Sequence, residues 1–221
     1  MSASRDLGLL EGMATTRAIR RYTDDPIPDA DLAEILWYAQ RAPSGTNRQK
    51  FRFLTLRRDD PVAEPGRRLL AESFQKGWVG KQADLDREGT PDPDSPRARM
   101  QAAMQHYVDH IDRVPVFILV GLERYRKEHF AEGASVFPAC QNLLLAAHAL
   151  GYGGVLTGWH GPVERELRAE FGIPDGVALH GCITLGVPAG RHGPLRRKPL
   201  GTILQDGVWG RQPDWLGEWG D

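Results

Sequence analysis

Arginine is the residue type through which this sequence most plainly offers chemistry. Arg17, Arg20 and Arg21 crowd into TTRAIRRY, and Arg196, Arg197 and Lys198 into PLRRKPL, most of a chain length away. A guanidinium fork matches two oxygens of a phosphate at once, so two such clusters brought together would hold a phosphate monoester. Left apart, each is a solvated surface run, the commoner fate of clustered charge. The residues leave both readings open. The whole-chain balance of 28 Lys and Arg against 29 Asp and Glu, net −1, supplies no bulk field for nucleic acid or an anionic membrane. Any anion must therefore be held by local arrangement.

Spacing excludes several other chemistries. Gly151-Tyr152-Gly153-Gly154 begins like a nucleotide loop, but the third glycine of GxGxxG would fall on Leu156, and no phosphate-loop lysine follows. His106 and His110 have the i, i+4 spacing of two metal ligands but no third ligand nearby, which reads as a solvated helix face and no metal site. Ser44 lies in PSG rather than GxSxG, so it is a loop hydrogen-bonder and not a nucleophile. Cys140 and Cys182 stand alone, which predicts no disulfide framework and a reducing compartment. MSASRDLGLLEGM lacks the basic start, apolar stretch and cleavage site of a signal peptide. The longest apolar run, Val114 to Val120, contains Pro115 and is too short to cross a bilayer. The expectation is a cytoplasmic protein with neither nucleic-acid nor membrane partners.

These residues need elements to position them. At 221 residues the chain makes one large domain or two small ones at about 150 residues each. Its 41% hydrophobic and 26% charged content is globular. The 25 glycines and 16 prolines have no period, so turns are many and repeats absent. Leu32, Ile35, Leu36 and Ala39 predict a helix over Asp29 to Arg41, capped by Asp29 or Asp31 and stopped before Pro43. APSGTN is a loop, Phe51 to Leu56 an alternating strand, and Gly66 to Lys76 a helix. Gly80 to Pro96 reads as a mobile polar excursion, and helical pattern resumes over Arg97 to His110. Val114 to Val120 is expected as a central strand covered on both faces.

Gly133 to Leu150 carries almost no polar face, and a helix apolar all round must be buried all round, most readily at a subunit interface. Gly151 ends it. Gly153 to Trp159 reads as a strand, Pro162 to Phe171 as an amphipathic helix and Ala178 to Val187 as a buried strand. An extension from about residue 205 carries Trp209, Trp215 and Trp219, half of the six tryptophans, and is expected to pack on its own body or a partner's. Helices mixed with strands predict a layered α+β protein, a single domain over 1–221.

TRAIRRY, APSGTNRQ, QNLLLAAHALGYGG and TLGVPAG…RRKPL occur in an order and spacing that resembles the nitroreductase (flavin reductase-like) family, over roughly residues 13–204. The resemblance implies a three-layer sandwich with a mixed, mostly antiparallel sheet flanked by helices, in an intertwined homodimer whose two FMN molecules lie in clefts built by both subunits. It implies that Arg17 and Arg20 hold the FMN phosphate together with Arg197. The family's RRSxR reads Thr16-Arg17-Ala18-Ile19-Arg20 here, so one charged and one hydroxyl contact are missing, while the Ala18 N–H can still donate. Pro43, Ser44 and Gly45 would lie against the isoalloxazine and ribityl chain, with Asn47 nearby. Leu156, Thr157 and Gly158 would present backbone groups to the flavin N5 and O4 side. Lys50 stands where the family has proline.

The activity so implied is ping-pong transfer of hydride from NADH or NADPH through flavin to a nitroaromatic, quinone or similar small acceptor. No side-chain acid or base is required, because the cofactor carries the chemistry. APSG and RRKPL are also similar to iodotyrosine deiodinases, which act as reductive dehalogenases, but their substrate-gripping Glu-xxx-Tyr is replaced here by Glu72 and Lys76. A flavin-destroying relative and a non-catalytic flavin-binding protein complete the alternatives.

Overall fold

A computed structural model describes residues 7–190, 195 and 197–217. The chain divides into two compact units, Met1–Arg191 and His192–Asp221. The first is built on β2 (Val116–Glu123), which is buried along its length except at Glu123. Antiparallel partners flank it, β1 (Phe51–Arg57) on one side and β4 (Val177–Gly186) on the other, and β3 (Gly153–Thr157) completes the order β1-β2-β4-β3. Among the described residues all the strand pairings are antiparallel, and parallel pairing is confined to an isolated bridge between Ala18 and Gly154.

The unbroken apolar run of β2 serves two cores, because successive side chains point to opposite faces. Val116, Ile118, Val120 and Leu122 join one cluster, with α2 (Asp29–Ala39) and α5 (Gly133–Ala149). Phe117 and Leu119 join the other, with α3 (Glu64–Arg87), α4 (Pro96–Asp109) and α6 (Glu164–Phe171). Helices on both faces of one sheet give three layers, the α+β arrangement expected. The remaining helix, α1 (Leu9–Thr15), contacts α5.

Four details differ from expectation. The α3 helix runs on to Arg87, so the excursion shrinks to residues 88–95. The polar stretch KQADLDR was legible as loop only by polarity; its residues are good helix formers and continue the ladder. Gly89, at φ 91°, turns the chain, and Ser95 caps α4 by accepting the Ala98 N–H at 3.1 Å. The α2 helix has no side-chain cap: Pro28 holds that position, and Asp29 and Asp31 lie in the first turn, facing the positive helix end. The β2 strand starts at Val116, since Pro115 has no N–H to give the ladder. Finally, α5 is buried on one side only. Val136, Ala139, Cys140, Leu143 and Ala147 face the core, whereas Phe137 is 47% exposed. Within one chain its outer apolar face is only partly covered, Leu144, Leu145 and Ala149 being half-buried.

The second unit holds a short turn at Leu200–Thr202 and a loop closed by the Asp206 N–H on the Arg211 carbonyl (2.9 Å). Trp209 and Trp215 are exposed; Trp219 and Arg196 lie outside the described residues.

Candidate functional site

The segment after α1 is fastened beside β3. The Ile19 N–H donates to the Gly154 carbonyl at 3.0 Å, and further on the Thr23 N–H donates to Val187 at 2.9 Å. This close approach requires glycine at 153, where a Cβ would lie 2.4 Å from Ile19 Cγ1; at Gly154 it is β4 that leaves no room, a Cβ there lying 2.5 Å from the Thr184 carbonyl oxygen. A buried hydroxyl network locks the same segment from within. The Tyr22 hydroxyl donates to the Ile19 carbonyl (2.6 Å) and meets Thr184 Oγ1 (2.9 Å), which Tyr107 also reaches (2.8 Å). Burial pushes both phenols well above their ordinary range, so they stay neutral. Arg20 is thus carried between two anchored residues, Ile19 and Tyr22.

Arg20 lines a cleft of about 310 Å³. Its floor is Leu156, Thr157 and Gly158, where β3 ends, with Trp159 beyond. Trp78 and Lys81 of α3 and Met100 and Met104 of α4 make the opposite wall. The two helices are joined there by Gln105, whose Oε1 accepts from Trp78 Nε1 (2.8 Å) and Gln82 Nε2 (2.9 Å). Thr157 Oγ1 is enclosed with no hydrogen-bond partner among the described residues. A buried hydroxyl left so costs about 1–3 kcal/mol, and a polar ligand in the cleft would relieve it. Gly158 has open space where a side chain would project. An arginine, an orphaned hydroxyl and apolar walls suit a flat, polar-edged, anionic molecule.

The loop at Pro43–Asn47 is elsewhere. It lies against the start of α5, the Gly45 N–H donating to Ser135 Oγ at 3.1 Å, and does not line the cleft. Ser44 is the hydrogen-bonder expected, its Oγ accepting the Gln49 N–H at 2.9 Å. Thr46, Asn47 and Gln49 all have φ of 51–52°, a left-handed conformation that is strained for a β-branched threonine. Lys50 pairs with Glu123 at 2.6 Å.

Of the residues singled out from sequence, Arg20, Leu156, Thr157 and Gly158 come together, and Ala18 pairs with Gly154 two residues before that floor. Arg17 is exposed and does not line the cleft, and Arg197 is exposed in the second unit. Sequence reasoning missed Trp78, Lys81, Met100 and Met104. The i, i+4 spacing of the methionines was the available signal.

A groove of about 370 Å³ runs between α1, α2 and the outer face of α5, lined by Leu9, Tyr38, Leu145 and Ala149 among others. Around it Leu10, Met13 and Trp37 are exposed. Among the described residues no helix is long and apolar enough to cross a membrane.

A family model described as "Nitroreductase family" matches residues 13–187. A Thermus thermophilus protein named NADH dehydrogenase is 32% identical over 200 residues, covering 85% of this chain and 90% of its own. A protein from Desulfovibrio desulfuricans, described as a nitroreductase and solved in complex with FMN, is 27% identical with a TM-score of 0.64, covering 90% of this chain and 96% of that one. An iodotyrosine deiodinase bound to FMN and 3-iodo-L-tyrosine shares the fold, with a TM-score of 0.67 at 22% identity over 91% of this chain and all of its own.

Proposed function

The chain belongs to the nitroreductase family, and we propose that it is an FMN-dependent oxidoreductase that takes electrons from NADH or NADPH and gives them to a small acceptor, a nitroaromatic or quinone. The observation that carries this reading is the cleft in which Arg20 stands beside the orphaned Thr157 hydroxyl and the end of β3. When bound, FMN supplies the relay of hydride between donor and acceptor, which no side chain of the protein can perform.

The protein's part is to bind, orient and exclude water. Arg17 and Arg20, with Arg197, would hold the phosphate through charge-assisted hydrogen bonds. Leu156, Thr157 and Gly158 would meet the polar edge of the ring system, and Thr157 Oγ1 would gain the partner it lacks. A donor aimed where negative charge accumulates during reduction stabilises that charge without reorganisation. Trp78, Met100 and Met104 would keep water from the reacting face. Ala18 would offer its N–H where the family has serine.

The loop Pro43, Ser44, Gly45 and Asn47 completes the site only in a homodimer. The partly covered apolar face of α5 and the groove beside it support a second copy there, which would bring the loop of one copy to the cleft of the other. The shortened excursion at 88–95, joining the two helices of the cleft wall, is suited to act as a lid. The deiodinase alternative is disfavoured, because Glu72 faces solvent and its neighbour at i+4 is Lys76, 3.7 Å away, in place of a tyrosine. A cytoplasmic location is part of the same proposal.

The assignment is tested by titrating flavin-free protein with FMN and following the quenching of flavin fluorescence. Tight 1:1 binding is expected, and Arg197→Ala should weaken it about tenfold or more, the worth of one charge-assisted phosphate contact. Unchanged affinity in that variant would remove Arg197 from the phosphate site.

A further inference from the structure

Beside the cleft described above lies a smaller, more polar one of about 180 Å³, and the two share Arg20 and Tyr107. One wall is the segment Arg21–Asp24; the other is the end of α4 and the turn after it, with His106, His110 and Arg113. Charge here is one-sided. Among the described residues Asp24 is the only carboxylate lining the cavity, and it is already shared by Arg113, which grips it through Nε (3.1 Å) and Nη2, and by Arg58 (3.2 Å). The two guanidinium groups hold the Asp24 carboxyl below its ordinary range. Arg20 and Arg21 have no side-chain hydrogen bond or ion pair with any described residue.

Two histidines add to this excess. The rings of His106 and His110 stack with centroids 4.2 Å apart, and His110 Nδ1 bonds the His106 carbonyl at 2.8 Å, which leaves Nε2 for a ligand. Partial burial, the neighbouring His110 and Arg21 together depress the affinity of His106 for a proton, opposed only by Asp109, itself occupied with Gln105 (2.7 Å). A cluster of cations that repel one another in an otherwise charge-balanced protein is relieved by a small anion placed among them. Guanidinium forks beside imidazoles suit a phosphate in particular.

We propose that this second cleft takes a phosphate of the nicotinamide dinucleotide donor. The inference rests on the flavoenzyme reading and deepens it. Because Arg20 borders both cavities, a donor whose nicotinamide meets the flavin in the first can lay a phosphate in the second, beside the FMN phosphate that Arg20 would hold. A polyanion is a poorer occupant, since the cavity is confined and the chain as a whole carries a net charge of −1.

The test is anaerobic stopped-flow reduction of the FMN-loaded protein, with dissociation constants for NADPH and NADH measured at pH 6 and pH 8 and fixed ionic strength. Wild-type protein is expected to bind its donor more tightly at pH 6, where His106 is more protonated than at pH 8. Arg21→Gln should weaken donor binding about tenfold. The double variant His106→Gln, His110→Gln should remove most of the pH dependence. A loss confined to NADPH assigns the contact to its 2′-phosphate; an equal loss with NADH assigns it to the pyrophosphate. Arg21, His106 and His110 are all exposed, so the variants should fold, and the retained flavin spectrum reports that they have. Donor constants within about twofold of wild type in both variants, with flavin still reduced, would overturn the proposal and leave the flavoenzyme reading standing. FMN that no dinucleotide reduces in the wild-type protein would overturn both.

Discussion

Gly154→Ala tests whether the close packing of β3 on β4 builds the cleft. A Cβ at this position would sit 2.5 Å from the Thr184 carbonyl oxygen, and 3.1 Å from Leu144 Cδ2 and Leu185 Cδ1. Real Cβ atoms keep at least 3.0 Å, so β3 must move from β4 by about 0.5 Å or more, and the first obstacle is backbone rather than a yielding side chain. Overpacking of this kind costs about 1–3 kcal/mol. For a chain of this size that lowers Tm by roughly 2–12 °C. The same displacement shifts Leu156, Thr157 and Gly158 and strains the Ile19–Gly154 hydrogen bond behind Arg20. Loss of one hydrogen bond to FMN, about 1 kcal/mol, would weaken its binding about fivefold. Calorimetry of flavin-free protein and FMN titration read the two effects separately. Gly161→Ala, where a Cβ meets nothing within 4 Å, is the control and should alter neither. A Gly154→Ala protein with wild-type Tm and FMN affinity would refute the reasoning.

Other outcomes follow from the same structure. Thr157→Val removes a hydroxyl that lacks a partner, so flavin-free protein should be unchanged or stabilised by up to about 1 kcal/mol, whereas the FMN-induced rise in Tm should shrink; a drop in the flavin-free Tm would contradict the orphan assignment. Phe137→Asp places charge on the outer face of α5 and should yield folded monomers by sedimentation, while a persistent dimer would move the interface elsewhere. His160 is 5% exposed, its Nδ1 is unpartnered among the described residues, and burial lowers its pKa, only partly offset by Glu164. A base with a depressed folded pKa contributes stability above its unfolded value, about 6.5, that is lost as pH falls toward the folded one. Wild-type protein should accordingly lose more stability between pH 7 and pH 5 than His160→Gln, and parallel curves from denaturant titrations would exclude this histidine as the cause.

The fold was legible wherever burial set the pattern. The run Val116–Val120 announced a strand covered on both faces, and the structure divides its residues between two cores. Polarity misled where local propensity prevailed, as in KQADLDR, which continues α3. The apolar circumference of α5 was visible, but one chain covers only half of it. At the candidate site, motif order singled out Arg20 and residues 156–158, which share one cleft, whereas it gave no sign of the facing wall. Trp78 and Met104 belong to that wall because Gln105 ties α3 to α4, and no local pattern encodes a tie between two helices. Likewise, Lys50 could be placed only once Glu123 was seen beside it.

The most direct measurement is the visible absorption spectrum of the purified protein, saturated with FMN and then mixed with NADH or NADPH under anaerobic conditions. The expected result is a two-band protein-bound flavin spectrum that bleaches on addition of donor and returns when a quinone or nitroaromatic is admitted. A protein that stays colourless after exposure to FMN, or a bound flavin that neither donor bleaches, would contradict the assignment of this cleft to NAD(P)H-driven flavin chemistry.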